Sequence, residues 1–211
     1  MSESEKPGGP DQILAEFGRI DIYVFDQLLR GRITPSMRVL DAGCGGGRNS
    51  EYLMRCGGDI YGVDSDRKQI DRIRRVAESV APALPPAHFS VAHLDDLPFP
   101  DGHFGAVICS AVLHFSKDAA GFEKAVSEMW RVLRPGGVFF ARLASSIGVE
   151  GRVVHLRDRW YRLPDGSDRF LVDEDYLLRL NVHLGAEQLD PLKTTIVQNM
   201  RSMTTWVLRK P

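Results

Sequence analysis

The sequence is poor in cysteine, in surplus charge of either sign and in long apolar runs. Its 211 residues include only three cysteines, Cys44, Cys56 and Cys109. Three scattered thiols build neither a disulfide framework nor a zinc cage, so no metal is expected. With 27 basic and 28 acidic residues the formal net charge is −1. A dedicated duplex-binding protein would carry a basic surplus to neutralise phosphates. No apolar run approaches the ~20 residues of a membrane span. Residues 1–11 are polar and rich in proline and glycine, without the apolar centre of a secretion signal. The expectations are a disordered leader over 1–11, a cytoplasmic address, no membrane, no nucleic-acid partner and no obligate protein partner.

The chain is 43% hydrophobic and 26% charged, an ordinary globular composition. Its length allows a core burying roughly 70% of the unfolded surface. A first amphipathic helix is predicted between Gln12 and Gly31. From Arg38 onward, short β-branched runs alternate with helical patterns, the rhythm of βα units on a parallel sheet. The strands expected are Arg38 to Asp41, Asp59 to Asp64, Phe89 to Val91, Gly105 to Cys109 and Gly137 to Leu143. Between them, Ile70, Ile73, Val76 and Val80 form one helical stripe. Phe122, Val126, Met129 and Leu133 form another. A helix from Asp173 to Leu184 should stop at Gly185. Thr194 to Val197 and Met203 to Leu208 stand about five residues apart, too close for a crossover helix, and predict an antiparallel hairpin.

The first strand runs into Asp41-Ala42-Gly43-Cys44-Gly45-Gly46-Gly47. Glycines at a strand-to-helix turn let the backbone bend sharply and let a ligand approach without a Cβ in the way. Asp64 closes the second strand, where an acid can accept from both hydroxyls of a ribose. These features alone fit a nicotinamide dinucleotide or any other ribose-bearing cofactor. The dinucleotide pattern wants a sixth-position glycine counted from Gly43, however, and Arg48 stands there.

Residues 34–211 resemble the class I S-adenosylmethionine-dependent methyltransferase family, of the small-molecule type. The resemblance rests on the Asp41 to Gly47 loop, on Leu94 to Phe104, on Leu133-Arg134-Pro135-Gly136-Gly137 and on the terminal hairpin. It implies an α/β fold: a Rossmann-like, seven-stranded, mostly parallel sheet with an antiparallel terminal hairpin and helices on both faces. It implies S-adenosyl-L-methionine as cofactor. Asp41, Gly43, Gly45 and Gly47 would lie at its methionine side, Asp64 at the ribose, and Leu94 and Asp95 at the adenine, with Cys44 and Ser110 also among the cofactor-binding residues. Two positions depart from the family pattern, His93 and Gly105, where relatives usually carry acids. Gly-Arg-Asn-Ser followed by Tyr52 and Leu53 resembles the branch of tellurite-resistance and small-thiol methyltransferases.

Methyl transfer is an in-line displacement that needs alignment and exclusion of water, and a base only where the acceptor must shed a proton. His114 and Arg48 are the catalytic candidates: His114 to orient or deprotonate an acceptor, Arg48, with Asn49, to meet an anionic acceptor or the carboxylate of the cofactor. A single domain over 12–211 is expected, capped by the helix at 12–33 and by a flap at 145–172. Arg142 to Val172 carries six arginines against four acids, with Trp160 and Tyr161 interleaved. Such a flap suits a negatively charged or planar small molecule. The competing readings are methylation of nucleic acid or protein, a non-catalytic cofactor-binding module of the same fold, and a nicotinamide-dependent oxidoreductase.

Overall fold

The computed structural model describes residues 9–211. The first eight residues of the expected leader lie outside that range. The remainder of the leader begins a helix, α1 (Pro10–Phe17), so the expected boundary at residue 11 is corrected. The single helix predicted from Gln12 to Gly31 is corrected too. Two short helices occupy it, α1 and α2 (Ile22–Leu29). The break falls at Gly18, with φ +64°, and at Asp21, whose carboxylate caps α2 by accepting from the Tyr23 amide. Apolar spacing runs through the break, and for that reason periodicity alone missed it.

The main sheet contains the parallel strands β1 (Arg38–Ala42), β2 (Asp59–Asp64), β3 (Phe89–Val91), β4 (Phe104–Ser110) and β5 (Leu133–Ala144). The helices α3 (Glu51–Arg55), α4 (Arg67–Val80) and α5 (Ala119–Val132) connect them. A small separate sheet follows, β6 (Val154–Arg157), β7 (Trp160–Arg162) and β8 (Asp168–Phe170), each antiparallel to the next. It forms the flap. β7 and β8 form a hairpin that turns at Pro164-Asp165-Gly166. The additional strand β6 was not expected; its Val154-His155-Leu156-Arg157 alternation is only four residues long, and all four are exposed. The helix α6 (Glu174–Leu184) ends on left-handed Gly185. The chain closes with the two-residue β9 (Glu187–Gln188), β10 (Lys193–Val197) and β11 (Arg201–Arg209). The strand order is β10-β11-β5-β4-β1-β2-β3, with β9 paired to β11. β11 runs antiparallel to β5 and β10, as the terminal hairpin requires.

The strand sequences feed two layers at once. In β4, Val107 and Cys109 point into the layer with Phe122, Met129 and Leu177 from α5 and α6. Ala106 and Ile108 point the other way, towards Val24, Leu53, Ile70 and Ile73 of α2, α3 and α4. Phe139 and Phe140 of β5 divide in the same manner. Each of these rings is fully buried, and such burial stabilises by roughly 1.5–3 kcal/mol per side chain. Parallel strands covered on both faces read as unbroken apolar runs, which made this core visible in the sequence. Among the described residues, no helix is long and apolar enough to cross a membrane.

Candidate functional site

The order of strands reverses between β1 and β4, with β2 and β3 on one side and β5 on the other. At such a point the loops leaving the carboxyl ends of neighbouring strands diverge and open a crevice. The loop after β1 turns there. The amides of Gly43 and Cys44 both donate to the Val63 carbonyl, at 2.8 and 2.9 Å. Gly43 holds φ +77°, and a Cβ on it would stand 2.4 Å from Cγ2 of Val112 beyond β4. Only glycine satisfies both the backbone angle and that approach. Gly47, at φ +86°, lies equally tight against Ile73, 2.8 Å from a virtual Cβ. That contact packs the loop onto α4.

Asp64 ends β2 facing the crevice. Its Oδ2 accepts from the Gly45 amide at 3.0 Å and its Oδ1 from the Asp66 amide at 2.9 Å. The carboxylate is fixed by backbone, and each oxygen keeps acceptor capacity towards the open side. Leu94 and Asp95 follow β3, with Lys124 Nζ 3.8 Å from Asp95. Gly43, Asp64, Leu94 and Asp95 converge on one cleft of about 290 Å³, whose far wall is Val112, Phe115 and Lys117. Phe115, Ser116 and Lys117 escaped the sequence reading. The one signal available was their position directly after β4.

The other expected site residues stand off that cleft. Asp41 is buried, and its Oδ2 accepts from Ser50 Oγ at 2.6 Å. Burial pushes its pKa up to about 6, against the opposing pull of the Ser50 hydroxyl. Cys44 turns its side chain into the core against Gly62, and burial drives its thiol far above the ordinary range. Gly45 touches the site through its amide N–H, which donates to Asp64.

Arg48, Ser110 and His114 belong to a second constellation, at the ends of β4 and β5. Its centre is Asp21, 93% removed from solvent. Asp21 Oδ1 accepts from the Tyr23 amide at 3.0 Å. Oδ2 accepts from Arg142 Nη1 at 3.0 Å and from Ser110 Oγ at 3.4 Å, and Arg48 Nη2 lies 3.8 Å away. The Arg142 guanidinium stands 5.1 Å over the Tyr23 ring. His114 is buried; its Nδ1 accepts from the Ala144 amide at 3.4 Å. Burial, then the charges of Arg169 and Arg142, lower its pKa to about 4, so at neutral pH the imidazole is uncharged. Ala111 links the two strand ends, its amide donating to the Arg142 carbonyl at 2.7 Å. It is a non-glycine residue at φ +63°, the kind of backbone strain that collects at functional sites.

The flap arginines are largely engaged within the fold. Arg162 pairs with Asp168 and Arg159 with Asp173, both at 2.9 Å. Arg169 alone of these three reaches the sheet end, 5.0 Å over the exposed Phe115 ring.

Residues 40–141 match the methyltransferase domain family. The matched segment covers the glycine loop, Asp64, the Leu94–Asp95 corner and the end of β5, the elements that build the cleft. Over those residues the chain carries a methyltransferase domain. An uncharacterized methyltransferase of Synechocystis is 35% identical over 107 residues, 51% of this chain and 47% of that protein. The ubiquinone biosynthesis O-methyltransferase of Methylocella silvestris is 32% identical over 118 residues, 54% and 44% of the two. The matched stretch is thus less than half of either relative. Among solved structures, a protein of Pyrococcus horikoshii superposes with a TM-score of 0.71 at 19% identity, covering 97% of this chain and 100% of that one. The 1,6-didemethyltoxoflavin-N1-methyltransferase of Burkholderia thailandensis, solved with its substrate and S-adenosylhomocysteine, gives 0.69 at 17% identity, covering 95% and 81%. At that identity the likeness establishes the fold alone.

Proposed function

We propose that the chain is an S-adenosylmethionine-dependent methyltransferase acting on a small-molecule acceptor. The observation that carries this reading is the single cleft shared by Gly43, Asp64, Leu94 and Asp95. The cradle fits the cofactor. A bared backbone at Gly43 admits close approach, two acids stand along the cleft, and apolar Leu94 and Val112 provide walls for a flat ring. When bound, the cofactor supplies a methyl group activated on a sulfonium.

The chain's own residues divide the remaining work. Asp64 accepts from ribose hydroxyls, with its orientation held in advance by the Gly45 and Asp66 amides. Asp95 accepts from the adenine amino group, with the Leu94 backbone alongside. Gly43, Gly45 and Gly47 shape the methionine side. Asp41 acts on it through Ser50, which begins the turn into α3. Cys44 contributes its backbone to this side and Ser110 its place at the end of β4. Arg48, His114 and Arg142 lie where an acceptor would sit, at the carboxyl ends of the strands. The α1–α2 cap and the flap choose the acceptor. The names of the relatives support the small-molecule class, since the Methylocella silvestris protein acts in ubiquinone biosynthesis. The reading includes a single domain over 12–211 and a cytoplasmic setting, supported by three cysteines that are all free thiols and by the reducing compartment such thiols suit.

Titration calorimetry with S-adenosylmethionine and with NAD tests the reading. The sulfonium cofactor should bind and NAD should not. Asp64→Ala should cut cofactor affinity by one to two orders of magnitude, about 1.5–3 kcal/mol for hydrogen bonds to a charged group. Tight NAD binding without binding of the sulfonium overturns it.

A further inference from the structure

The constellation around Asp21 contains many donors and no free proton acceptor. Arg142 reaches Asp21 with Nη1 only. Its Nε is buried without a hydrogen-bond partner among the described residues. Arg48 is half exposed and only 3.8 Å from the same oxygen, so its fork is largely unspent. Two guanidiniums, Arg142 and Arg48, therefore converge on one carboxylate, and the charge of a third, Arg169, acts on the neighbouring His114. That carboxylate is already engaged on Oδ1 by the Tyr23 amide and on Oδ2 by Arg142 and Ser110.

His114 completes the set as a donor. Its Nδ1 accepts from the Ala144 amide, so in the neutral ring the hydrogen resides on Nε2. A histidine held in that tautomer presents N–H and has no lone pair for an incoming proton. The sequence left His114 open to orienting or deprotonating an acceptor. The geometry favours orienting.

We propose that the acceptor is a small-molecule carboxylate, gripped by Arg142 and Arg48, oriented by His114 Nε2–H and methylated on oxygen to a methyl ester. This rests on the methyltransferase reading above and narrows its substrate class. Phenols, alcohols and protonated amines must lose a proton to become nucleophiles, and the site offers none of its groups to take it. A carboxylate arrives already deprotonated. In the step, a carboxylate oxygen pair forms the new O–CH₃ bond. The S–CH₃ bond breaks with its pair passing to sulfur, and the anion and the sulfonium become a neutral ester and a neutral thioether. No proton moves. Charge cancels in the transition state, which a cleft closed to water favours. An arginine fork is the group that matches carboxylate geometry, and it can hold one oxygen while the other faces the methyl.

The test uses the full chain, saturated with S-adenosylmethionine, against benzoate, phenylacetate and glutarate, with phenol, benzyl alcohol and benzylamine as matched non-carboxylates. Release of S-adenosylhomocysteine reports turnover, and methanol freed by alkali reports an ester. Carboxylates should be turned over and the other three should not. Between pH 7 and 9, above the value for Asp41, kcat/KM should be flat. The charged groups facing the site are Asp21, Arg48, Arg142 and Arg169, with neutral His114 and the Tyr23 phenol, and none is required as a base. Arg142→Gln and, separately, the solvent-facing Arg48→Gln should each raise KM for the carboxylate about tenfold or more. Arg142→Lys should recover part of that loss, and Arg142→Gln should leave the affinity for S-adenosylhomocysteine in place. Turnover of phenol, benzyl alcohol or benzylamine with carboxylates inert overturns the proposal. So does an ascending pH limb, an unchanged KM in both glutamine variants, or failure of all three carboxylates to bind the S-adenosylhomocysteine-saturated protein. Failure of the cofactor itself to bind would instead overturn the methyltransferase reading, so the two failures are distinct.

Discussion

The cleft after β1 and β2 and the constellation at the ends of β4 and β5 are built by opposite means. The cleft is made of backbone. Glycines remove side chains, amides of Gly45 and Asp66 fix Asp64, and every part lies within a few residues of a strand end. The second constellation is made of long side chains brought from far apart in sequence: Asp21 meets Arg142 across 121 residues and Ser110 across 89. A backbone-built site can be kept while the rest of the chain changes. A site of converging side chains can be altered one residue at a time. That division suits a fold with one donor and many acceptors.

The sharpest way to break the backbone side is Gly43→Ala. The new Cβ would face Val112 at 2.4 Å, at a φ of +77°. Cofactor affinity should fall about 100-fold or more, with ~2–3 kcal/mol lost from folding through left-handed strain and overpacking. Calorimetry and denaturant melts measure both. Adding Val112→Ala should return part of the stability, because it removes the clash and leaves the backbone angle. Full recovery would mean that sterics alone set the requirement.

Asp41→Asn separates folding from function on the same side. Burial raises the Asp41 pKa to about 6 in the folded protein, above its unfolded value. The parent therefore holds its full stability below about pH 4 and loses it as pH rises through 6, by up to about 3 kcal/mol at pH 8. The asparagine variant lacks that loss and can still accept from Ser50. It should melt above the parent at pH 8, with the advantage gone near pH 4, while cofactor affinity drops. An equal difference at both pH values would remove the buried charge as its cause.

The smallest effect is expected at the junction of the two regions. Ala111→Gly relieves a left-handed alanine at some cost in chain entropy. The net gain should be about 0.5–1 kcal/mol, or a rise of roughly 1–4 °C in Tm. A fall in Tm would show that the Ala111 methyl packs more than it strains.

The same contrast explains what could be read from residues alone. β2 and β3 stand at their expected residues, β1, β4 and β10 within a residue or two, and Gly185 stops α6, because buried parallel strands and helix caps leave local marks. Gly43, Asp64, Leu94 and Asp95 share a cleft; Gly43 and Asp64 are marked by their places at strand ends, Leu94 and Asp95 only by the family resemblance. The break between α1 and α2 was hidden because the apolar spacing continues across Gly18. β6 was missed because its alternation, Val154-His155-Leu156-Arg157, spans only four residues and buries none of them. Arg142 was noticed only as one of six arginines, and Asp21 not at all. Their pairing depends on β5 and the α2 cap meeting in space, which no window of sequence contains. The tautomer of His114 was illegible for the same reason, since the Ala144 amide fixes it from 30 residues away.

The most direct test of this two-part account is one calorimetric series, S-adenosylhomocysteine titrated into the parent, Asp64→Ala and Arg142→Gln under identical conditions. The account predicts a loss of about 10- to 100-fold in Asp64→Ala and parent-like affinity in Arg142→Gln. Equal losses in both variants, or none in Asp64→Ala, would contradict it.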